Sequence, residues 1–403
     1  MDRYLSKAVA GTGGTIKESP EDFRVEEIPL YLPCGEGEHL YIEVEKQGLT
    51  TFDLLHQLSR ALGVKEREMG YAGLKDARAT TRQTVSAPGV APERALEVQI
   101  EGVRILSARR HRNKLRPGHL AGNRFEIRIR DPREGSLEAA RDVLHILESL
   151  GVPNAFGEQR YGSFGNSHLI GRAILLRDFA EAIRQIIGDP AQIKNQRWRE
   201  GAERFAAGDL RGALEALPGR LRDERRLVHI LLEGGSAEAA VMGMPRKLLR
   251  LYLSAIQSHL FDRIVAMRLD SLETLWPGDL AYKHDNGACF AVTDPAAEQP
   301  RAERFEISPS GPLFGCKVTL ARGKAGILEE SLLEKEGLAL ESFRIGQGLT
   351  MEGERRALRV PLQEPGVRLD GADLVLSFAL PRGSYATSVL REIIKPGQES
   401  AAT

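Results

Sequence analysis

A strand and the helix that follows it form the segment that most constrains the fold of this 403-residue chain. From Asn123 to Arg130 hydrophobic and charged side chains alternate, which predicts a strand with one buried and one exposed face. Ser136 then begins an apolar pattern of helical spacing, which stops before Gly151. Upstream, the alternation from Leu40 to Glu45 predicts a strand, the spacing of Leu54, Leu55, Leu58 and Leu62 a helix, and the short apolar run from Met69 to Ala72 a further strand. The order of elements up to residue 151 is therefore strand, helix, strand, strand and helix. It predicts an antiparallel sheet with helices on one side, which is the α+β class.

Asp76 lies in a turn that is bounded by glycines and surrounded by cations, between residues 70 and 83. Nearby Lys75 and Arg78 should lower the pKa of this carboxyl group, so that it is ionised at neutral pH. An ionised carboxylate can act as a nucleophile or as a general base. The polar side chains that follow it and suit a polar ligand are Thr80, Thr81 and Gln83. A charged loop that merely joins two strands is the alternative interpretation.

A run of basic residues without any acidic residue extends from Arg104 to Arg116, although 56 basic and 56 acidic side chains balance over the whole chain. Its cations are Arg104, Arg109, Arg110, Arg112, Lys114 and Arg116. A local basic surface can bind phosphates even when the net charge is zero. We therefore predict that this run faces nucleic acid. A solvated strand edge or loop is the alternative.

The cysteines and histidines show neither disulfide nor metal-ligand spacing. Cys34, Cys289 and Cys316 are far apart and odd in number, which predicts reduced thiols in a cytoplasmic protein. The nine histidines form no HExxH motif, so we predict no metal site. No apolar run approaches the length of a membrane span, and the first residues have no apolar core of the kind found in signal peptides.

Segments along most of the chain resemble the motifs of the TruD family of pseudouridine synthases and follow the family's order. They are residues 17–27 (KESPEDFRVEE), 35–39 (GEGEH), 73–83 (GLKDARATTRQ), 118–125 (GHLAGNRF), 153–162 (PNAFGEQRYG), 253–261 (LSAIQSHLF) and 381–392 (PRGSYATSVLRE). This resemblance implies isomerisation of uridine 13 of tRNA to pseudouridine, a reaction that needs no cofactor. It also implies a pseudouridine-synthase catalytic domain, with a mixed, mainly antiparallel sheet and helices, at residues 1–157 and 356–403. An inserted α/β TruD-specific domain would occupy residues 158–355.

The resemblance assigns the chemistry to three residues. Asp76 matches the family's catalytic carboxylate, and Lys17 matches the basic residue that keeps this carboxylate ionised. Phe125 matches an aromatic position that stacks on the target base once the base has left its own stack. Without the motif, Phe125 would be interpreted as a core residue and Lys17 as a solvent-exposed lysine.

Further residues are assigned to supporting roles by the same resemblance. Asn123 would hydrogen-bond the base or hold the Asp76 loop, and Glu27 and Gln83 would support that loop. The residues expected to bind tRNA are Lys75, Arg78, Arg109, Arg110, Arg112, Lys114 and Arg116. We expect that the protein does not associate with a membrane and has no obligate protein partner.

Two other functional classes stay open at this stage. A metal-dependent RNA hydrolase could use Asp76 together with Glu21, Asp22 or Glu27, because carboxylate clusters in nucleases usually hold a metal ion. An RNA-binding or RNA-folding module without activity is the other alternative.

Overall fold

The computed structural model of the protein describes residues 3–346 and 348–395. The strands are β1 (Phe23–Pro29), β2 (His39–Lys46), β3 (Gly70–Tyr71), β4 (Thr80–Pro88), β5 (Val103–His111), β6 (Leu120–Ile129), β7 (Val152–Pro153), β8 (Leu280–Lys283), β9 (Cys289–Ala291), β10 (Ile307–Leu313), β11 (Glu354–Ala357), β12 (Arg359–Val360), β13 (Gln363–Asp370) and β14 (Asp373–Pro381). The α-helices are α1 (Thr51–Leu62), α2 (Pro92–Leu96), α3 (Ser136–Leu150), α4 (Ser167–Leu175), α5 (Phe179–Ile187), α6 (Gln196–Ala206), α7 (Leu210–Ala216), α8 (Arg222–Leu232), α9 (Ala237–Met242), α10 (Arg246–Met267), α11 (Pro295–Glu303), α12 (Gly323–Lys335) and α13 (Ala386–Ile394).

The described residues divide into two compact units. One consists of residues 4–152 and 360–395, and the other of residues 153–359 with Arg3. The assignment of catalytic and inserted domains made from the sequence stays a prediction, and its outermost residues, 1–2 and 396–403, lie outside the described part of the chain.

The first unit is built on an eight-stranded sheet in the order β13-β14-β6-β1-β4-β2-β5, with β3 paired to β4. Only the β1–β4 pair is parallel among the strand pairs described for this sheet. The mixed, mainly antiparallel sheet confirms the α+β class. Strand β6 begins at Leu120, three residues before the predicted start, because Leu120 and Gly122 already pair with β1.

One face of this sheet carries two apolar cores. Helices α3 and α13 cover the half formed by β14, β6 and β1, where Val143 and Val389 pack among residues such as Ile127. Helix α1 covers the half formed by β2 and β4, with Leu54 packed among residues such as Ile42. Burying such large aliphatic side chains contributes about 1.5–3 kcal/mol each. The two cores therefore hold both halves of the sheet, including β4, which follows the Asp76 loop.

A single row of paired residues crosses the same face over five strands. Lys46 of β2 is opposite Thr81 of β4, and Thr81 is opposite Val25 of β1. Val25 is in turn opposite Phe125 of β6, which is opposite Phe378 of β14. Because paired residues of neighbouring strands point to the same side of a sheet, the row places Lys46 and Phe125 on one surface.

The second unit combines helices α4–α12 with a four-stranded sheet in the order β11-β10-β8-β9. Helices α4 and α10 approach closely at Gly171, where a Cβ atom would lie only 2.2 Å from the carbonyl oxygen of Tyr252. This unit also contains two buried ion pairs, Arg268–Asp279 and Arg355–Glu329. None of the helices in residues 3–346 and 348–395 has the length and apolar character needed to cross a membrane.

Candidate active site

Asp76 lies on the loop that connects β3 to β4, and its carboxylate is open to solvent. The side chain is 55% exposed, and its Oδ2 atom is 3.3 Å from Nζ of Lys17. Its Oδ1 atom accepts a hydrogen bond of 3.1 Å from the backbone N–H of Arg78. A substrate could thus reach the carboxylate without displacing a covering side chain of the core.

The surroundings of Asp76 hold its carboxylate in the ionised form. Partial burial acts to raise the pKa of Asp76, but the N–H of Arg78 and the ammonium group of Lys17 outweigh it, and the pKa lies below its usual value. The loop therefore supplies an accessible anion at neutral pH. The lowered pKa was predicted, but its causes are Lys17 and backbone N–H groups rather than the charges of Lys75 and Arg78.

Lys17 adopts a backbone conformation that is uncommon for a residue with a side chain. Its φ angle is 62°, in the left-handed region, which costs about 1–2 kcal/mol. Its Nζ atom lies 4.3 Å from the ring centroid of Phe23 while it contacts Asp76. A strained backbone that aims a cation at an exposed carboxylate supports a functional role for Lys17.

Lys75, the neighbour of Asp76, points into the protein. Its Nζ atom is 3.0 Å from Oε2 of Glu27, and both side chains are almost fully buried. Its backbone N–H donates to Oγ1 of Thr51, whose hydroxyl donates to Oε1 of Gln83. Burial raises the pKa of Glu27, and the Lys75 ammonium opposes that rise. Lys75 was predicted to bind RNA, but its burial and its ion pair make it a group that holds the loop.

Asn123 and Phe125 lie on the same face of β6, where they pair with Glu27 and Val25 of β1. Phe125 is 6% exposed and packs edge-on against Phe23, with ring centroids 6.3 Å apart. The buried polar atoms on this face without a hydrogen-bond partner among the described residues include Thr81 Oγ1, Gln83 Nε2 and Asn123 Oδ1. Leaving such an atom unpaired costs about 1–3 kcal/mol, so this face has unused capacity to bind a polar group.

The basic run predicted to face nucleic acid forms the edge strand β5 and the loop that follows it. Arg104 pairs with Glu45 at 2.8 Å, and Arg112 pairs with Glu36. Two further cations bind backbone carbonyl groups. Arg110 donates to the carbonyl oxygen of Gly37, and Lys114 donates to that of Arg67. Within the described residues, Arg109 and Arg116 are exposed and form no ion pair, as is also true of Arg78. The surface is less positive than the run alone suggests.

The carboxylates that a metal-dependent hydrolase would use each bind a different partner within the protein. Asp22 accepts two hydrogen bonds from Arg130, Glu27 pairs with Lys75, and Glu21 accepts from Gln47. In the part of the chain that the structure describes, no group of three or more His, Cys, Asp or Glu side chains lies together as metal ligands would.

Lys46 is a residue near Asp76 that the sequence reasoning missed. Its Nζ atom donates to the carbonyl oxygen of Asp76 at 3.1 Å, and its side chain is buried. The signal was present in the alternation of β2, where Leu40, Ile42 and Val44 point into the core and Lys46 falls on the same side.

Comparison with known proteins identifies relatives over almost the whole length of the chain. The family model for tRNA pseudouridine synthase D (TruD) matches residues 1–393. The tRNA pseudouridine synthase D of Syntrophotalea carbinolica is 62% identical over 98% of this chain and 99% of its own length. That of Geobacter metallireducens is 55% identical over 98% of each chain. A crystal structure of a putative tRNA pseudouridine synthase D from Methanosarcina mazei superposes with a TM-score of 0.85 at 28% identity, covering 98% of this chain and 96% of the other. The family and fold class predicted from the sequence are confirmed.

Proposed function

The chain belongs to the tRNA pseudouridine synthase D (TruD) family, and from this premise we propose that it isomerises the uridine at position 13 of tRNA. A pseudouridine synthase is an isomerase: it breaks the bond between C1′ and N1 of the uridine and joins C1′ to C5 instead. No atom is gained or lost overall, so the reaction needs no cofactor. The observation that carries the proposal is the ionised, solvent-accessible carboxylate of Asp76 beside Lys17.

Asp76 is the proposed catalytic residue. In one route its carboxylate would attack C1′ and expel the uracil at N1, and C5 of the uracil would later displace the carboxylate from C1′. In a glycal-type route it would instead remove the C2′ proton as the C1′–N1 bond breaks, and return that proton to C2′ as C5 bonds to C1′. In both routes, the freed base turns so that C5 faces C1′, the proton on C5 is lost, and N1 gains a proton. Lys17 keeps the free carboxylate of Asp76 anionic before it reacts, because its ammonium group favours the charged form of the carboxyl group.

The target base must leave the RNA stack to reach Asp76. Stacking on an aromatic ring repays about 1–3 kcal/mol of this cost, and we assign this role to Phe125. Because Phe125 is buried, the base must displace the groups that cover its ring. The unpaired Oδ1 atom of Asn123 suits the N3–H donor of uracil, since an amide oxygen accepts such a hydrogen bond.

The proposed tRNA surface consists of the basic residues of β5 and its following loop, together with Arg78. Arg109 and Arg116 can bind phosphates directly. Arg104 and Arg112 would exchange Glu45 and Glu36 for phosphate, at little cost because exposed ion pairs contribute only about 0–1 kcal/mol. We place the enzyme in the cytoplasm, where tRNA is found and where its unpaired thiols would stay reduced.

The test maps pseudouridine in tRNA after incubation with the purified protein, in buffer with and without EDTA. We expect modification at uridine 13, no modification of a tRNA with cytidine at that position, and no effect of EDTA. Cleaved RNA in the absence of EDTA would favour the metal-dependent hydrolase. Intact, unmodified RNA that still binds would favour the RNA-binding module.

A further inference from the structure

The turn between β2 and α1, residues 47–50, lies against the loop that carries Asp76. The N–H of Gly48 donates to the carbonyl oxygen of Ala77 at 3.1 Å. Thr51, at the start of α1, accepts from the N–H of Lys75 at 2.8 Å. These two bonds hold the residues on either side of Asp76, and they leave Asp76 itself to be fixed by another group.

Lys46 supplies that group from the end of β2. Its Nζ atom donates to the carbonyl oxygen of Asp76 at 3.1 Å and to that of Leu49 at 2.5 Å. The residue is 1% exposed and belongs to the largest fully buried side chains of the described chain. The ammonium group therefore links the Asp76 loop directly to the turn.

The charges around Lys46 are consistent with this task. Burial lowers the pKa of Lys46 to about 8, and the positive charge of Lys75 acts in the same direction. The negative charges of Asp76 and Asp53 oppose that change and favour the ammonium form. Within the described residues, Lys46 forms no ion pair at 4 Å or less, so the hydrogen bonds of its ammonium group go to the two carbonyl oxygens.

We propose that Lys46 is a positioning residue of the isomerisation, because its ammonium group ties the carbonyl oxygen of Asp76 to that of Leu49 and so orients the Asp76 carboxylate. Fixing the carbonyl of Asp76 fixes the peptide plane that follows it, while the backbone N–H of Arg78 holds the carboxylate. Lys46 acts through Asp76 and does not contact the substrate. The inference rests on the proposed function, since it takes Asp76 as the catalytic carboxylate.

The test compares Lys46→Met and Lys46→Gln with the unchanged enzyme. Methionine keeps a long side chain but donates no hydrogen bond, and glutamine donates without a positive charge. Lys65→Met serves as the matched control, because Lys65 is 69% exposed in the same unit. The measured quantities are the single-turnover rate constant with enzyme in excess, the dissociation constant for tRNA, and the far-UV circular dichroism spectrum.

We expect Lys46→Met to lower the rate constant about 100-fold, since a displacement of about 1 Å at a reacting group costs this much. Lys46→Gln should lower it about 10-fold, by the same reasoning with one carbonyl still bound. The dissociation constant for tRNA should stay within a factor of two in both variants. The control should match the unchanged enzyme. A purely structural role of Lys46 would not separate the rate constant from the affinity in this way.

Other outcomes overturn the inference. A rate constant within a factor of two of the unchanged enzyme would show that the orientation of Asp76 does not depend on Lys46. Parallel losses of rate and affinity, or a failure of both variants to fold, would assign Lys46 to the general stability of the unit. Measuring Asp76→Asn and the unchanged enzyme alongside separates a failure of the Lys46 inference from a failure of the proposed function. If the unchanged enzyme forms no pseudouridine, the proposed function fails. If the unchanged enzyme is active and Asp76→Asn is inactive, the function and the role of Asp76 stand whatever Lys46 does, whereas an active Asp76→Asn variant removes the premise of the Lys46 inference.

Discussion

The ammonium nitrogen of Lys17 lies 3.3 Å from a carboxylate oxygen of Asp76, although 59 residues separate them along the chain. Lys17 precedes β1 and Asp76 precedes β4, and these two strands form the parallel pair of the sheet. Parallel neighbours present their starts at the same end, so the pairing of β1 with β4 brings the two residues together. The active-site geometry is thus a consequence of the one parallel pair described in this sheet.

Replacing Asp76 by asparagine should abolish pseudouridine formation without unfolding the protein. Loss of a nucleophile or general base costs at least about 10²–10⁴-fold in rate, and the exposed side chain contributes no core packing. The measurement is the single-turnover rate with tRNA, together with tRNA affinity and circular dichroism. Asp142→Asn, at an exposed position of α3, is the control. Turnover that persists in Asp76→Asn would remove this residue from the catalytic role.

The motif around Asp76 and the alternation of β6 were visible in the sequence because both depend on residues close together along the chain. The acidic partners of the basic run were not visible. Glu36 and Glu45 reach Arg112 and Arg104 from other elements of the fold, and the run itself contains no acid. The burial of Lys46 could be deduced from the alternation of β2, which places its side chain on the buried face. The two carbonyl groups that it binds belong to loops whose positions only the folded sheet determines.

Removing the positive charge of Lys17 should shift the pH dependence of the reaction. Lys17 lowers the pKa of Asp76, so Lys17→Met should raise it and move the acid limb of the rate profile to higher pH. The rate should therefore fall more at pH 5 than at pH 7, and Lys17→Arg should restore most of the profile. Single-turnover rates between pH 4.5 and 8 measure this shift. An unchanged acid limb in Lys17→Met would show that the ion pair does not control the ionisation of Asp76.

The arginines of the basic run should differ in their effect on tRNA binding. Arg109→Ala and Arg116→Ala should each reduce the slope of log affinity against log salt concentration by about 0.7–0.9, the contribution of one phosphate contact. Arg112→Ala should change it less, because the ion pair with Glu36 competes with phosphate. Affinities measured from 50 to 300 mM salt give the slopes, with Arg211→Ala, exposed on α7, as the control. Equal slopes in all four variants would exclude this surface from the interface.

The buried ammonium group of Lys46 should make the stability of the first unit depend on pH. Its pKa is about 8 in the folded protein, below the ordinary value of 10.5. Folding therefore disfavours the charged form. This penalty is complete below about pH 8 and disappears as the pH rises towards 10.5.

The free energy of unfolding of the unchanged protein, relative to Lys46→Met, should accordingly increase between pH 7 and pH 10 by on the order of 1–3 kcal/mol. Urea unfolding followed by far-UV circular dichroism measures it. Tryptophan fluorescence reports the second unit separately, because Trp198 and Trp276 both lie within residues 153–359. The difference between the two proteins cancels the titration of all other groups that the substitution leaves unchanged. A difference that stays constant or decreases over this range would contradict a depressed pKa, and would mean that the charge on Lys46 is not destabilised by its burial.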